Sequence, residues 1–221
     1  MEYIAMGIEF FQKGGAVMYV LVLCSLLVAA IGVERALYYR QADSGREFAR
    51  RFSQEMASGR FGEAASLAKA ASGALASVLW TAMHKPSDAQ AAHHMELQTG
   101  IELSRFRQRL YYLSVIVTMA PLLGLLGTIS GMISSFSVFN VTAGQATAIT
   151  GGVGEALIAT AMGLCVAIAA LTVHAYFTQR VENIVTDMEL CCSLVEEHRA
   201  ELLAAAEDVQ DGSYVLEGGA L

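Results

Sequence analysis

Charge is what this chain has least of, and its absence is unevenly spread. Only 16% of the 221 residues are charged while 55% are hydrophobic, a balance that lies toward the membrane class and away from ordinary soluble domains. Two prolines in all, and no run rich in proline, glycine and serine, exclude long disordered linkers. A net charge of −7 excludes the electrostatic footprint of a nucleic-acid binder. The four cysteines Cys24, Cys165, Cys191 and Cys192 have no zinc-like spacing and read as free thiols. No nucleophile–base pair, phosphate loop or metal cluster stands out, so neither an enzyme nor a cofactor is expected. The acidic start and the lack of a small-residue cleavage site predict no cleavable leader.

What is present is a set of long uncharged runs. Residues 14–33 carry no charge, enough helix to cross about 30 Å of hydrocarbon. Glu34-Arg35 and Tyr38-Tyr39-Arg40 close that run as an interface anchor. A second apolar run covers 110–139 and a third 146–177, joined by a short turn at 140–145. The expected fold is an all-α integral membrane protein with three transmembrane helices. Eleven of the fourteen Lys and Arg lie between Glu34 and Tyr111, so the positive-inside rule puts the 34–109 loop and the 178–221 tail in the cytoplasm. The 1–13 segment and the turn then face the other side. Arg105, Arg107 and Arg109 form a basic collar at the mouth of the second span, read as a membrane-surface anchor.

The loop is expected to be helical over residues 44–58, 61–72 and 74–84, split by Gly59, Gly62 and Gly73. Trp80 is expected in its core, and His84, His93 and His94 in solvent. From Ala89 the helix is expected to run directly into the second span. After the third span, Val181, Ile184/Val185, Met188, Cys191/Cys192, Val195 and Leu202 recur every three or four residues, a pattern for an amphipathic continuation. Past Asp208 the chain is acidic and glycine-containing and is expected to fray.

Spans two and three hold the unusual residues. Glu155 is the one charge between Leu110 and Phe177. A membrane carboxylate costs about 2.5–3.5 kcal/mol on insertion scales and marks ion paths more often than structure. Gly127 and Gly131 make a GxxxG pair that lets helix backbones approach, with Gly124 and Gly163 as further small packing positions. Pro121 removes a helical donor and is expected to bend its helix. Thr128 and Thr160 either bond to their own backbones or line a polar seam together. Glu155 stands about 140° around the helix from Thr160, so the two are expected to face different ways. His174, near the end of the third span, reads first as an interface histidine and second as a proton relay.

The order Ala120-Pro121-Leu-Leu-Gly124-Leu-Leu-Gly127-Thr128 with Gly131, then Glu155-Ala156-Leu-Ile-Ala159-Thr160-Ala161-x-Gly163-Leu164, resembles the MotA/TolQ/ExbB proton-channel family, most closely its ExbB/TolQ branch. The resemblance implies a subunit of an ion-driven motor in the bacterial inner membrane. It implies a homopentamer around an ExbD- or TolR-like single-span partner whose membrane aspartate carries the ion, with work delivered to a TonB- or TolA-like protein. By motif position Thr128 and Thr160 match the family's pore-facing threonines and Glu155 its membrane glutamate. Three positions depart from the pattern: Ser130 where tryptophan is frequent, Ala169 where a proline is frequent, and His174-Ala175 in place of Tyr-Asn. Losing the proline is expected to straighten the third helix, and Ser130 with Ser134 leaves the ion open between proton and sodium. A flagellar-type stator is the neighbouring reading, disfavoured by three spans. A passive oligomeric scaffold is the reading from another class.

Overall fold

The computed structural model of the chain describes residues 15–139 and 146–207. The 1–13 segment, the 140–145 turn and the acidic tail past Asp208 lie outside the described residues. Among the described residues seven helices follow one another: α1 Gly15–Ala42, α2 Arg46–Ala57, α3 Phe61–Ala70, α4 Ala74–Met83, α5 Asp88–Arg107, α6 Leu110–Phe139 and α7 Ala146–Glu197. Residues 199–207 add a last short helical piece. Three of these helices are long and apolar enough to cross a membrane, and the chain is an all-α membrane protein. The 30 residues of α6 extend about 45 Å at the helical rise, and the 52 of α7 about 78 Å.

The chain divides into two compact units, one of residues up to 34 with 109–177, the other of 35–108 with the residues after 177. The first is apolar inside and out. Its buried positions include Ala120, Ala156, Ala159, Ala167 and Ala170 beside larger residues such as Leu21 and Leu113, whereas Leu23, Leu122, Ile133, Phe136, Leu157 and Ile168 are exposed at 58–65%. Large aliphatics outside suit a hydrocarbon solvent, which gives leucine no reason to hide, while small residues inside let helices close up. Two contacts set the direction of α1. A Cβ on Gly127 would meet both Val17 and Ala159, and one on Gly32 would meet Val173, so α1 runs parallel to α7 and antiparallel to α6.

The second unit is an ordinary water-side core. Helices α2 to α5 pack in succession, each on the next. Phe48 and Phe52 stack at 5.9 Å, and Phe52, Leu79, Met83, Met95, Phe106, Met188 and Leu202 are fully buried. Val181, Ile184, Met188, Cys191 and Val195 form the buried stripe of the later part of α7, as their spacing predicts. Burial pushes the Cys191 thiol up to about 12, so it stays protonated. Trp80 is half-buried and not a core residue; its ring lies 4.3 Å from that of His84 with the Lys69 ammonium 5.8 Å from its centroid. His84 and His93 are exposed, while His94 is half-buried.

One expectation is corrected. The helix begun at Asp88 does not flow into the second span: α5 ends at Arg107, Gln108 turns to ψ 137°, and Arg109 takes a left-handed φ of 70°. A non-glycine residue there is uncommon and costs about 1 kcal/mol or more. The break is invisible to hydropathy because no glycine or proline marks it. In the apolar unit Arg109 pairs with Glu34 at 3.1 Å. In the other unit the last carbonyls of α5, which a helix end leaves bare, gain donors from α1: Arg35 Nη1 donates to Arg105 O at 3.0 Å and the Tyr39 hydroxyl to Phe106 O at 2.8 Å. Most of the basic collar is thus ion-paired, since Arg105 holds Glu102 at 2.6 Å while Arg107 lies 3.9 Å from Glu182.

Well past the apolar run, Asp187 borders a cavity of about 120 Å³ lined also by Asp43, Arg46, Arg180, Asn183 and Ile184. Asp43 is engaged, accepting from Gly45 N–H at 2.8 Å and from Arg180 at 2.8 Å. Burial, helped by the Asp43 charge and opposed by Arg46 and Arg180, holds the Asp187 carboxyl above its usual range. A raised folded pKa means the charged form is disfavoured by folding, so stability falls as pH rises through the ordinary carboxylate range and up to the folded value. Asp187→Asn is therefore expected to melt higher than the parent at neutral pH and to match it once the acid is protonated in both states. Melting curves across pH check this; an Asn variant less stable at neutral pH would show that the carboxylate is held by an arginine.

Candidate functional site: a glycine-packed helical hairpin

The apolar unit is closed where α6 and α7 cross. Gly124 and Gly163 face each other: a Cβ on Gly163 would stand 2.6 Å from Ala120 O and 3.0 Å from Gly124 Cα, and one on Gly124 3.0 Å from Thr160 Cα. One turn along, a Cβ on Gly127 would stand 2.5 Å from the Ala159 methyl carbon. The crossing stripe is therefore Ala120, Gly124 and Gly127 against Ala159, Thr160 and Gly163. Within the sequence-level GxxxG pair, Gly127 lies at the crossing, and Gly131 is half-buried a turn further on. Ala120 and Ala159, both at 1% exposure or less, were missed because alanine in an apolar run carries no signal without the partner helix. Pro121 lies inside α6 beside this stripe; it has no N–H, so the Val117 carbonyl loses its helical donor.

Contact this close brings polar groups together in an apolar setting. Thr160 Oγ1 donates across the hairpin to Gly124 O at 3.0 Å. In α-helical register that carbonyl also receives the N–H of Thr128, so the two threonines meet at one oxygen. The Thr128 hydroxyl itself donates within its own helix, to Leu125 O at 2.6 Å. Both threonines are half-buried. Ser135, which the sequence reading passed over, is 4% exposed and donates to Gly131 O at 2.8 Å, as a serine in an apolar helix must if its proton is to find a partner.

Two candidates remain. Glu155 belongs to α7, and its side chain lies outside the described residues. His174, half-buried on the same helix, is fourteen residues beyond Thr160, about 21 Å along the axis, so the structure does not bring it to the threonines. α7 runs unbroken through Ala169. Among the described residues no cluster of three His, Cys, Asp or Glu is placed to hold a metal ion.

Helices long and apolar enough to span, packed through glycine and joined by the Thr160 hydroxyl across the contact, define an all-α membrane protein. The chain belongs to the MotA/TolQ/ExbB proton channel family, whose model matches residues 62–190, a stretch that holds the whole α6–α7 crossing. It is a channel family and not an enzyme family. Among relatives, the biopolymer transport protein ExbB-like 1 of Synechocystis sp. is 34% identical over 170 residues, 74% of this chain and 67% of that protein. The biopolymer transport protein ExbB homolog of Methanothermobacter thermautotrophicus is 36% identical over 96 residues, 43% of this chain and 34% of its own length. The Tol-Pal system protein TolQ of Haemophilus influenzae is 35% identical over 95 residues, 42% of this chain and 41% of its own. These similarities set the chain in the ExbB/TolQ branch. Most of the matches reach less than half of the relative's length.

Proposed function

We propose that this chain is the channel subunit of an inner-membrane motor that turns the proton motive force into work on an envelope protein of the TonB or TolA kind. In this reading it forms a homo-oligomer, a pentamer by the family's pattern, around a single-span ExbD- or TolR-like partner whose membrane aspartate carries the proton. The 34–109 loop and the C-terminal tail lie in the cytoplasm. Thr128, Thr160 and Glu155 line or border the path, and Gly124, Gly127 and Gly163 hold it in shape. One observation carries the proposal: the Thr160 hydroxyl bonds across the hairpin to the Gly124 carbonyl, a polar junction at the crossing of two largely apolar spans. One charge crossing 100 mV releases about 2.3 kcal/mol, a driving force available only if a proton can traverse such a junction.

The test is proton flux in vesicles that hold the chain together with an ExbD- or TolR-like single-span protein carrying a membrane aspartate, under an imposed potential. Flux is expected from the parent. Thr160→Val, which keeps shape and removes the hydroxyl, is expected to lower it at least tenfold while the complex still elutes at its parental size. A complex of parental size that conducts equally well with valine would favour the passive scaffold.

A further inference from the structure

Nothing in residues 105–112, Arg-Phe-Arg-Gln-Arg-Leu-Tyr-Tyr, asks a helix to stop. They include no glycine, proline or asparagine, and Arg, Gln and Leu are good helix formers. The chain turns there all the same. Gln108 at ψ 137° followed by Arg109 at φ 70° has the outline of a type II turn, whose third position ordinarily takes glycine or asparagine. Local preference therefore points to one continuous helix from α5 into α6, and the break is imposed from elsewhere. A residue held at positive φ persists only where its surroundings over-determine it, and such positions gather at switch elements.

Those surroundings come from neighbouring turns of α1. Within the second unit the Arg35 guanidinium donates to Arg105 O at 3.0 Å, and the Tyr39 hydroxyl makes a buried bond to Phe106 O at 2.8 Å. In an unbroken helix these two carbonyls would take the N–H groups of Arg109 and Leu110, so the α1 side chains stand in for two helical donors lost at the break. Both are fixed in place, Arg35 at 2% and Tyr39 at 4% exposure. Within the first unit Glu34 holds the left-handed Arg109 at 3.1 Å. Were Tyr39 withdrawn, the buried Phe106 carbonyl would lose its partner and bear the cost of its desolvation. The remedy is already in the chain: the N–H of Leu110. We infer that Glu34, Arg35 and Tyr39 form a latch that holds the α5–α6 junction broken, and that withdrawing the latch lets residues 105–112 close into one continuous helix. Each state satisfies the same two carbonyls, one through α1 and the other through the backbone, so the junction has two defined states and is not merely loose. A turn or slide of α1 selects between them, because all three latch residues sit on that helix. The end of the first span is thereby coupled to the entry of the second, whatever the spans conduct.

The experiment is hydrogen–deuterium exchange of the full-length chain in lipid nanodiscs, resolved at the amides of Arg109, Leu110 and Tyr111. A helix that begins at Leu110 leaves its first amides without a helical acceptor, so in the parent these three are expected to exchange with little protection. Tyr39→Phe keeps the ring and removes the donor; it is expected to raise the protection of Leu110 at least threefold. Arg35→Met with Tyr39→Phe is expected to raise that of all three amides at least tenfold. Arg109→Gly added to the double variant is expected to bring fast exchange back, because glycine takes the left-handed turn without strain. Melting curves by circular dichroism show which variants are folded. Should the double variant not fold, Tyr39→Phe with and without Arg109→Gly decides the matter. Folded latch variants that exchange as fast as the parent would overturn the inference. So would strong protection of the three amides in the parent, or protection in the latch variants that the glycine leaves in place.

Discussion

Gly163→Ala is expected to open the hairpin. The added carbon would stand 2.6 Å from the Ala120 carbonyl oxygen and 3.0 Å from Gly124 Cα, and both obstacles are backbone that no rotamer change can clear. Alanine is the better helix former by about 1 kcal/mol, so propensity alone predicts a gain. Overpacking of a close contact costs about 1–3 kcal/mol and sometimes more, and here it also stretches the Thr160–Gly124 bond. A net loss of about 2 kcal/mol is the expected outcome, read as a lower SDS concentration for unfolding in mild detergent, with proton flux lost alongside. Gly154→Ala is the matched control on the same helix, because a Cβ there meets nothing within 4 Å. Its stability should hold or rise. Equal behaviour of the two variants would mean that α6 and α7 do not meet backbone to backbone.

Phe106→Ala is expected to cost more than any substitution of a surface residue in the second unit, about 3–5 kcal/mol for a fully buried aromatic. Phe106 is 0% exposed, with the Tyr39 ring at 5.2 Å and the Tyr38 ring at 5.6 Å, both edge-on. Alanine leaves a cavity where α1 meets the end of α5. Tyr39→Phe separates the two contributions, since it preserves the edge-on ring contacts and removes the hydroxyl that bonds Phe106 O at 2.8 Å, a bond worth about 1 kcal/mol. Thermal melts followed by circular dichroism check the pair. A Phe106→Ala loss no larger than that of Tyr39→Phe would place the strength of this joint in the capping bonds and not in the rings.

The features legible in the sequence were those set by single-helix physics. The apolar runs, the recurrence of Val181, Ile184, Met188, Cys191 and Val195, and the glycine punctuation at Gly59 and Gly73 each follow from one helix meeting its solvent. Relations between helices were harder to read. The sequence singled out Gly124, Gly127, Gly131 and Gly163 as packing positions, whereas the closest approach also needs Ala120 and Ala159, which only the facing helix identifies. The seam expected from Thr128 and Thr160 resolves into one bond across the hairpin and one within a helix, because a hydroxyl takes whichever carbonyl is nearest. The break at Gln108–Arg109 left no trace in composition: its residues are common helix formers, and Glu34, which pairs with Arg109 at 3.1 Å, lies far away in the chain.

The unbroken course of α7 also bears on how this chain can change over generations. Between Val181 and Val195 no loop is available to absorb a change in length. Deleting one residue there would turn every later side chain by about 100° and draw it about 1.5 Å along the axis, swinging those beyond the deletion off the buried stripe that Val181, Ile184, Met188, Cys191 and Val195 form. Substitution of its exposed residues is open to this stretch, insertion and deletion are not, and descendants should vary in length at Ser58–Arg60 or Lys85–Ser87, where helices end, while the count of residues from Val181 to Val195 stays constant.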